Sequence, residues 1–303
     1  MSIALQVALV MVTILVVLLV IGAPIGVAIG MSSAVSMICM IPADVSFATS
    51  AQRIFAGSNS FSLIAIPFFI LAGNIMNNGG IATRLVNCAK VISGRMPGAL
   101  AQSNVVANML FGAISGSGAA AAAAMGGTIG PLEEKEGYDK NYSTAVNVAS
   151  APVGMLIPPS NTMIVYSSVA GSVSIAALFM AGYIPGLLWG GAVMILAGIM
   201  AKKRGYQAEQ RVPVKVALKT FWQAIPSLLL IVIVIGGILG GIFTATEGSA
   251  IAVVYATVLS LIYKAFKIKD IPRIVLEAAK TTGIITFMIG LSSIMSWAMA
   301  FTG

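Results

Sequence analysis

Histidine is absent from this 303-residue chain, and charge is scarce: 9% of residues are Asp, Glu, Lys or Arg, against roughly 25% in a soluble domain. The missing imidazole excludes serine–histidine and cysteine–histidine catalysis, imidazole ligation of haem or zinc, and histidine proton relays. Only two cysteines occur, Cys39 and Cys88, far apart and in apolar surroundings, so no disulfide framework is indicated. What fills the chain instead is apolar. Hydrophobic residues make up 58% of it and the mean hydropathy is +1.00. A core of this size cannot hide that much apolar surface, so lipid is the solvent for most of it. A soluble enzyme, a nucleic-acid-binding module and a disordered chain are thereby excluded. The net charge of +8 falls almost wholly between apolar runs, as in the loops of a polytopic membrane protein.

Apolar periodicity and breakers predict an all-α polytopic fold. Two short helices are expected at about 3–21 and 24–41, separated by Gly22-Ala23-Pro24. A polar stretch follows at 42–59, then a span at about 60–78 and an amphipathic surface helix over 79–98 carrying Arg84, Lys90 and Arg95. Further apolar runs lie at about 99–130, 142–172, 176–200, 224–242, 246–263 and 281–301, with basic loops at 202–219 and 264–280. The first of these loops holds Lys202, Lys203, Arg204, Arg211, Lys215 and Lys219, and the positive-inside rule places it in the cytoplasm. If segment 99–130 enters the membrane and returns, every Lys and Arg except Arg53 lies inside and the N-terminus lies outside.

Segment 99–130 reads as such a re-entrant hairpin. Ser115-Gly116-Ser117-Gly118 breaks it near the middle. At 1.5 Å per residue the arm Ala99–Ile114 spans about 24 Å and the arm Ala119–Ile129 about 17 Å, both short of a hydrocarbon core of about 30 Å. Segment 142–172 is broken differently, by Gly154-Met155-Leu156-Ile157-Pro158-Pro159-Ser160-Asn161, which predicts half-helices at about 142–153 and 160–172. A faint repeat relates the chain to itself at a shift of about 220 residues: Arg53-Ile54 aligns with Arg273-Ile274, and Gly73-Asn74-Ile75-Met76 aligns, one residue off, with Ser292-Ser293-Ile294-Met295. By the charge parse the two copies run in opposite directions, an inverted repeat of the kind transporters use. The expected organisation is a first repeat over 1–201, a basic linker over 202–223 and the start of a second repeat over 224–303.

Breaks at membrane depth persist only where protein or water covers them. They present half-helix N-termini to anions and half-helix carbonyls to cations. The tip offers the Ser115 and Ser117 hydroxyls; the second break offers carbonyls from Ala151 to Ile157 and the side chains of Ser160, Asn161 and Thr162. Hard oxygen ligands of this sort suit Na⁺, and the second arm's N-terminus suits a carboxylate. Neither break contains an acidic residue. The alanine run 119–124 is read as close helix packing, and the 17 methionines as apolar filler. Thr244-Ala245-Thr246-Glu247 fits a capping box that starts a helix. Asp139, in Gly137-Tyr138-Asp139, faintly suggests an intramembrane aspartyl protease but has no intramembrane partner, so no enzyme is expected.

Five ordered motifs resemble one family nearly end to end. They are Ser62–Gly73 (SLIAIPFFILAG), Ser115-Gly116-Ser117, Ile157-Pro158-Pro159-Ser160, Leu178-Phe179-Met180-Ala181-Gly182, and Gly241–Glu247 (GIFTATE). The resemblance is to the large membrane subunit of tripartite ATP-independent periplasmic (TRAP) transporters. It implies an inverted-repeat, elevator-type secondary transporter in the bacterial inner membrane, with no cofactor and Na⁺ as the coupling ion. Its implied partners are a small membrane subunit, a periplasmic solute-binding protein, a small organic-acid substrate and the lipid bilayer, with no nucleic acid. By the same resemblance, Ser115, Gly116, Ser117, Gly118, Gly154, Pro158, Pro159, Ser160 and Asn161 form half of the ion and substrate site, with Na⁺ expected at Ser115, Ser117 and Gly154. Two departures stand out: Ala245 replaces the family's usual proline, and the hairpin beyond its tip is plain alanine. The family's second hairpin and second proline break would fall beyond Gly303, so the chain is expected to be a C-terminally incomplete form carrying one half-site. A non-transporting scaffold or inactive fragment is the alternative expectation.

Overall fold

The computed structural model describes residues 3–171, 173–208 and 213–302, without the side chain of Ile114. Arg211 and Gly303, which entered the sequence reading, lie outside the described residues. Within them the secondary structure is helical throughout. In chain order the helices are α1 (Ile3–Val20), α2 (Ile25–Met37), α3 (Ala43–Ser58), α4 (Ala65–Asn78), α5 (Ile81–Ser93), α6 (Ala99–Ser115), α7 (Gly118–Thr128), α8 (Gly130–Lys135), α9 (Lys140–Ser150), α10 (Val153–Leu156), α11 (Asn161–Ala170), α12 (Ile175–Lys203), α13 (Val214–Leu239), α14 (Ala245–Ile262) and α15 (Ile271–Thr302). Six helices are long and apolar enough to cross a membrane, or seven if the bent pair at α9–α11 counts as one span. The chain is an all-α polytopic membrane protein. α1 shows the lipid-facing type: its mean hydropathy is 3.0, yet only Val7 and Met11 are buried.

The sequence assigned no element to the polar stretch 42–59, which is largely helix α3 with Pro42 at its N-cap. Two expectations need correction. Helix α5 is amphipathic as expected but is not a free surface helix. Its apolar face, with Ile81, Leu85 and Val86 fully buried, packs on α6 and α13. The basic residues Lys215, Lys219, Arg273 and Lys280 are not in loops. They occupy the opening turns of α13 and α15, which run past their apolar cores because straight-chain basic residues favour helix and carry their charge outward on flexible stems.

The chain forms two compact units. One contains residues 1–63 and 279–303, the other 64–278. In the first unit α2 packs on the later part of α15, so tightly that a Cβ on Gly30 would lie 2.5 Å from Leu291. In the second, α14 and α4 form the most extensive helix pair, and a Cβ on Gly79 would lie 1.8 Å from the Ser260 hydroxyl.

Local signals hold the second unit's ends. Thr244 caps α14 as the sequence predicts: its N–H donates to Glu247 Oε2 (2.7 Å) and the Glu247 N–H donates to Thr244 Oγ1 (3.3 Å). Thr244→Ala is expected to destabilise the protein by about 1 kcal/mol, seen as a lower thermal midpoint in detergent; an unchanged midpoint would show that the cap is redundant. Asp139 is also structural. It accepts from the Tyr142 N–H (2.9 Å) at the start of α9 and pairs with Arg204 at 3.2 Å, which fastens the end of α12 to the α8–α9 turn.

Candidate functional site

Helices α6 and α7 lie against each other as a hairpin. Gly116 closes α6 in the left-handed region (φ 61°), and Ser117 opens α7 by accepting from the Ala120 N–H at 3.3 Å. Glycine is required at 116 twice over, since the backbone is left-handed and an added Cβ would lie 2.9 Å from Pro159 O and 3.0 Å from Asn161 N. The second break separates α9 and α10 from α11, with a bend of 48° and a cis peptide between Pro158 and Pro159. Ser160 caps α11, donating to Met155 O and accepting from the Met163 N–H.

The structure brings the two breaks together through Asn161. Its N–H donates to Gly116 O (3.4 Å) and its Nδ2 to Ser115 O (3.3 Å). Ser115, Gly116, Ser117, Pro158, Pro159, Ser160 and Asn161 thus share one neighbourhood. Gly118 joins it by close packing: a Cβ there would lie 3.0 Å from Ala151 O. Gly154 has a structural part of its own. A Cβ on Gly112 would lie 2.1 Å from Gly154 Cα, so α6 and α10 cross backbone to backbone.

The carbonyls of Ala151, Pro152, Val153 and Met155 already accept hydrogen bonds. The sequence offered all of Ala151–Ile157, so the available set is narrower. Leu156, Pro158 and Pro159 retain carbonyls that accept from no donor among the described residues. Asn161 Oδ1 is buried and unpartnered. The Ser115 hydroxyl makes only long contacts, 3.4 Å, to Ser117. Free acceptors, two hydroxyl side chains and the N-termini of α7 and α11 therefore converge, with no carboxylate among them. That combination suits a small cation together with an anionic group.

Three supports were not legible as such. Gly73 of α4 lets that helix reach the tip, where its Cβ would lie 3.1 Å from Ser115 Cβ. Gly182 and Gly186 of α12 do the same for the second break, meeting Leu156 O and Ile157. The motifs containing Gly73 and Gly182 carried the resemblance, but nothing in their spacing said that they seat the breaks. The third support is a polar ladder between the hairpin arm α6 and helix α9. Asn108 Nδ2, with two hydrogens to give, lies within hydrogen-bonding distance of three acceptors, Asn104 Oδ1 (2.9 Å), Asn147 Oδ1 (3.0 Å) and Ser150 Oγ (2.8 Å). Two asparagines four apart in an apolar arm were the available signal.

The hairpin and the broken helix of this multi-pass helical protein meet at one polar focus, and comparison with known proteins places the chain in a class, a family of transporter components. Residues 12–303 match the family described as tripartite ATP-independent periplasmic transporter, DctM component, and the chain belongs to that family. It is 51% identical over 268 residues to the uncharacterized protein YgiK of Salmonella typhimurium, covering 88% of this chain and 62% of that protein. It is 36% identical to the C4-dicarboxylate TRAP transporter large permease protein DctM of Rhodobacter capsulatus (84% and 61% covered). Identity is 37% to the sialic acid TRAP transporter large permease protein SiaM of Vibrio cholerae (83% and 59% covered). The chain spans about three-fifths of the length of these relatives.

Proposed function

We propose that this chain supplies one half-site of the large permease of a Na⁺-coupled importer of small organic acids. In this reading Na⁺ is the coupling ion, taken by the Ser115 and Ser117 hydroxyls and free carbonyls at the tip and the Pro158–Pro159 break. The N-terminus of α11 takes the substrate's carboxylate. A periplasmic binding protein delivers the substrate, a small membrane subunit completes the membrane complex in the bacterial inner membrane, and the hairpin unit moves as an elevator. The observation that carries the reading is the docking of Asn161 on the tip carbonyls beside unpartnered acceptors. Support also comes from relatives named for C4-dicarboxylate, sialic acid, isethionate and 2,3-diketo-L-gulonate, all small organic anions.

The test is transport by the full-length permease with its partners in proteoliposomes. Ser117→Ala is expected to raise the Na⁺ concentration for half-maximal uptake several-fold, as for loss of a hydroxyl worth about 1 kcal/mol; an unchanged Na⁺ activation curve would reject the assignment. The charge pattern adds an orientation, with the N-terminus periplasmic and the Lys202–Arg204 end of α12 cytoplasmic. A cysteine introduced next to Arg204 should therefore react with a membrane-impermeant thiol reagent from the inside only. Labelling from the outside would invert the topology.

A further inference from the structure

Glu133 is a buried carboxylate that none of the above uses. It sits on the short helix α8, which packs on α6, α7 and α9, and it is 1% exposed. It lines a cavity of about 330 Å³ together with Asn104, Ser143 and Asn147, room for about ten waters at some 30 Å³ each. Ser143 Oγ and Asn104 Nδ2 are the donors beside the carboxylate, but neither meets it in good hydrogen-bond geometry, and neither carboxylate oxygen has another partner. Burial disfavours an ionised carboxylate here, and two neutral donors offset that only in part, so a neutralising agent is favoured.

Three agents can do that. A cationic side chain does not: among the described residues the ion pairs are Arg204–Asp139 and Arg273–Glu277, and Lys140, which lines the same cavity, is exposed. A metal cation wants about six oxygens converging on one point, whereas Asn104 Oδ1 and Asn147 Oδ1 already accept from Asn108. A proton needs one oxygen and a wet path, and both are present.

We propose that Glu133 and its cavity form a proton-binding site, separate from the hairpin tip, that keeps α8 seated while the carboxyl is neutral and loosens it on ionisation. Burial raises the carboxyl to about 7, with Ser143 and Asn104 pulling it part of the way back. The charged and titratable groups nearby are few. Glu134, Tyr138 and Lys140 line the cavity, Tyr142 and the Asp139–Arg204 pair flank it, and α6 and α7 contribute none. Because affinity for the proton is raised on folding, the stabilisation is fully present below the ordinary glutamate range. It is lost as pH rises through about 7. The Asn104–Asn108–Asn147–Ser150 ladder starts at this cavity and ends beside the second break, so seating of α8 bears on the half-site. The proton site itself stands whether or not the tip takes Na⁺.

The experiment is infrared titration of the purified chain, labelled with ¹³C-glutamate, in detergent. A protonated-carboxyl band titrating with a midpoint near 7 is expected in the wild type and is expected to be missing in Glu133→Gln. Ser143→Ala, which keeps the carboxyl, should move the midpoint upward. In hydrogen exchange, protection of α8 and α9 between pH 6 and 8 should fall about tenfold more in the wild type than in Glu133→Gln. The proposal is overturned by a wild type whose glutamates all titrate in the ordinary range, by a band near 7 that survives Glu133→Gln, or by equal loss of protection in the two proteins.

Discussion

Gly112→Leu is expected to lower the stability of the protein by about 3 kcal/mol, the upper end of the usual cost of overpacking. The reason is the identity of the neighbour. A Cβ at 112 would lie 2.1 Å from Gly154 Cα, and a Cβ at 154 would lie 2.5 Å from Gly112 Cα. A crowded side chain can change rotamer, but a crowded backbone moves only if its helix moves. Relief of the clash must therefore push α6 from α10, and with them the tip from the second break. The measurement is the thermal midpoint in detergent with size-exclusion behaviour as a check on folding. Gly127→Ala is the control: it lies on the same hairpin with nothing within 4 Å of its Cβ, and is expected to be neutral or to stabilise by up to about 1 kcal/mol. Equal midpoints for Gly112→Leu and Gly127→Ala would refute the backbone crossing. The reciprocal Gly154→Ala change should not add to Gly112→Leu, because both act on one contact.

Replacing Asn161 should act on transport more than on folding. Asn161→Ala removes the side-chain donor to Ser115 O and is expected to reduce uptake by the full-length permease about tenfold, the effect of losing one buried hydrogen bond. Asn161→Asp keeps the shape, cannot donate, and brings a negative charge to the place proposed for the substrate's carboxylate. Two like charges about 4 Å apart at an effective dielectric of about 20 repel by about 4 kcal/mol, so uptake should fall roughly a hundredfold or more. The order of the two variants is the informative result. Asn161→Asp transporting as well as Asn161→Ala would mean that no anion comes near this residue.

The sequence showed the breaks better than what surrounds them. Ser115–Gly118 and Pro158–Pro159 were visible because glycine and proline act through local backbone restrictions that no tertiary contact overrides. The capping box at Thr244 was legible for the same reason: donor and acceptor lie three residues apart. Contacts between distant segments were not. Nothing near Gly112 in the chain announces Gly154, and nothing near Gly73 announces Ser115. Glu133 is the sharpest case. In the chain it stands in a charged stretch, Glu133-Glu134-Lys135-Glu136, that reads as a solvated loop. Its burial follows from α8 folding back on α6 and α9, a tertiary event. The opening turns of α13 and α15 were misplaced because positive charge was read as loop, although basic side chains tolerate helix ends well.

The pairing of α2 with the later part of α15 has a consequence for how the protein is made. The tight face of α2 at Gly30 is completed by Leu291, near the far end of the described chain. The ribosome delivers that partner only after the helices between α2 and α15 have been made. Insertion of α2 and completion of its packing are therefore separate acts.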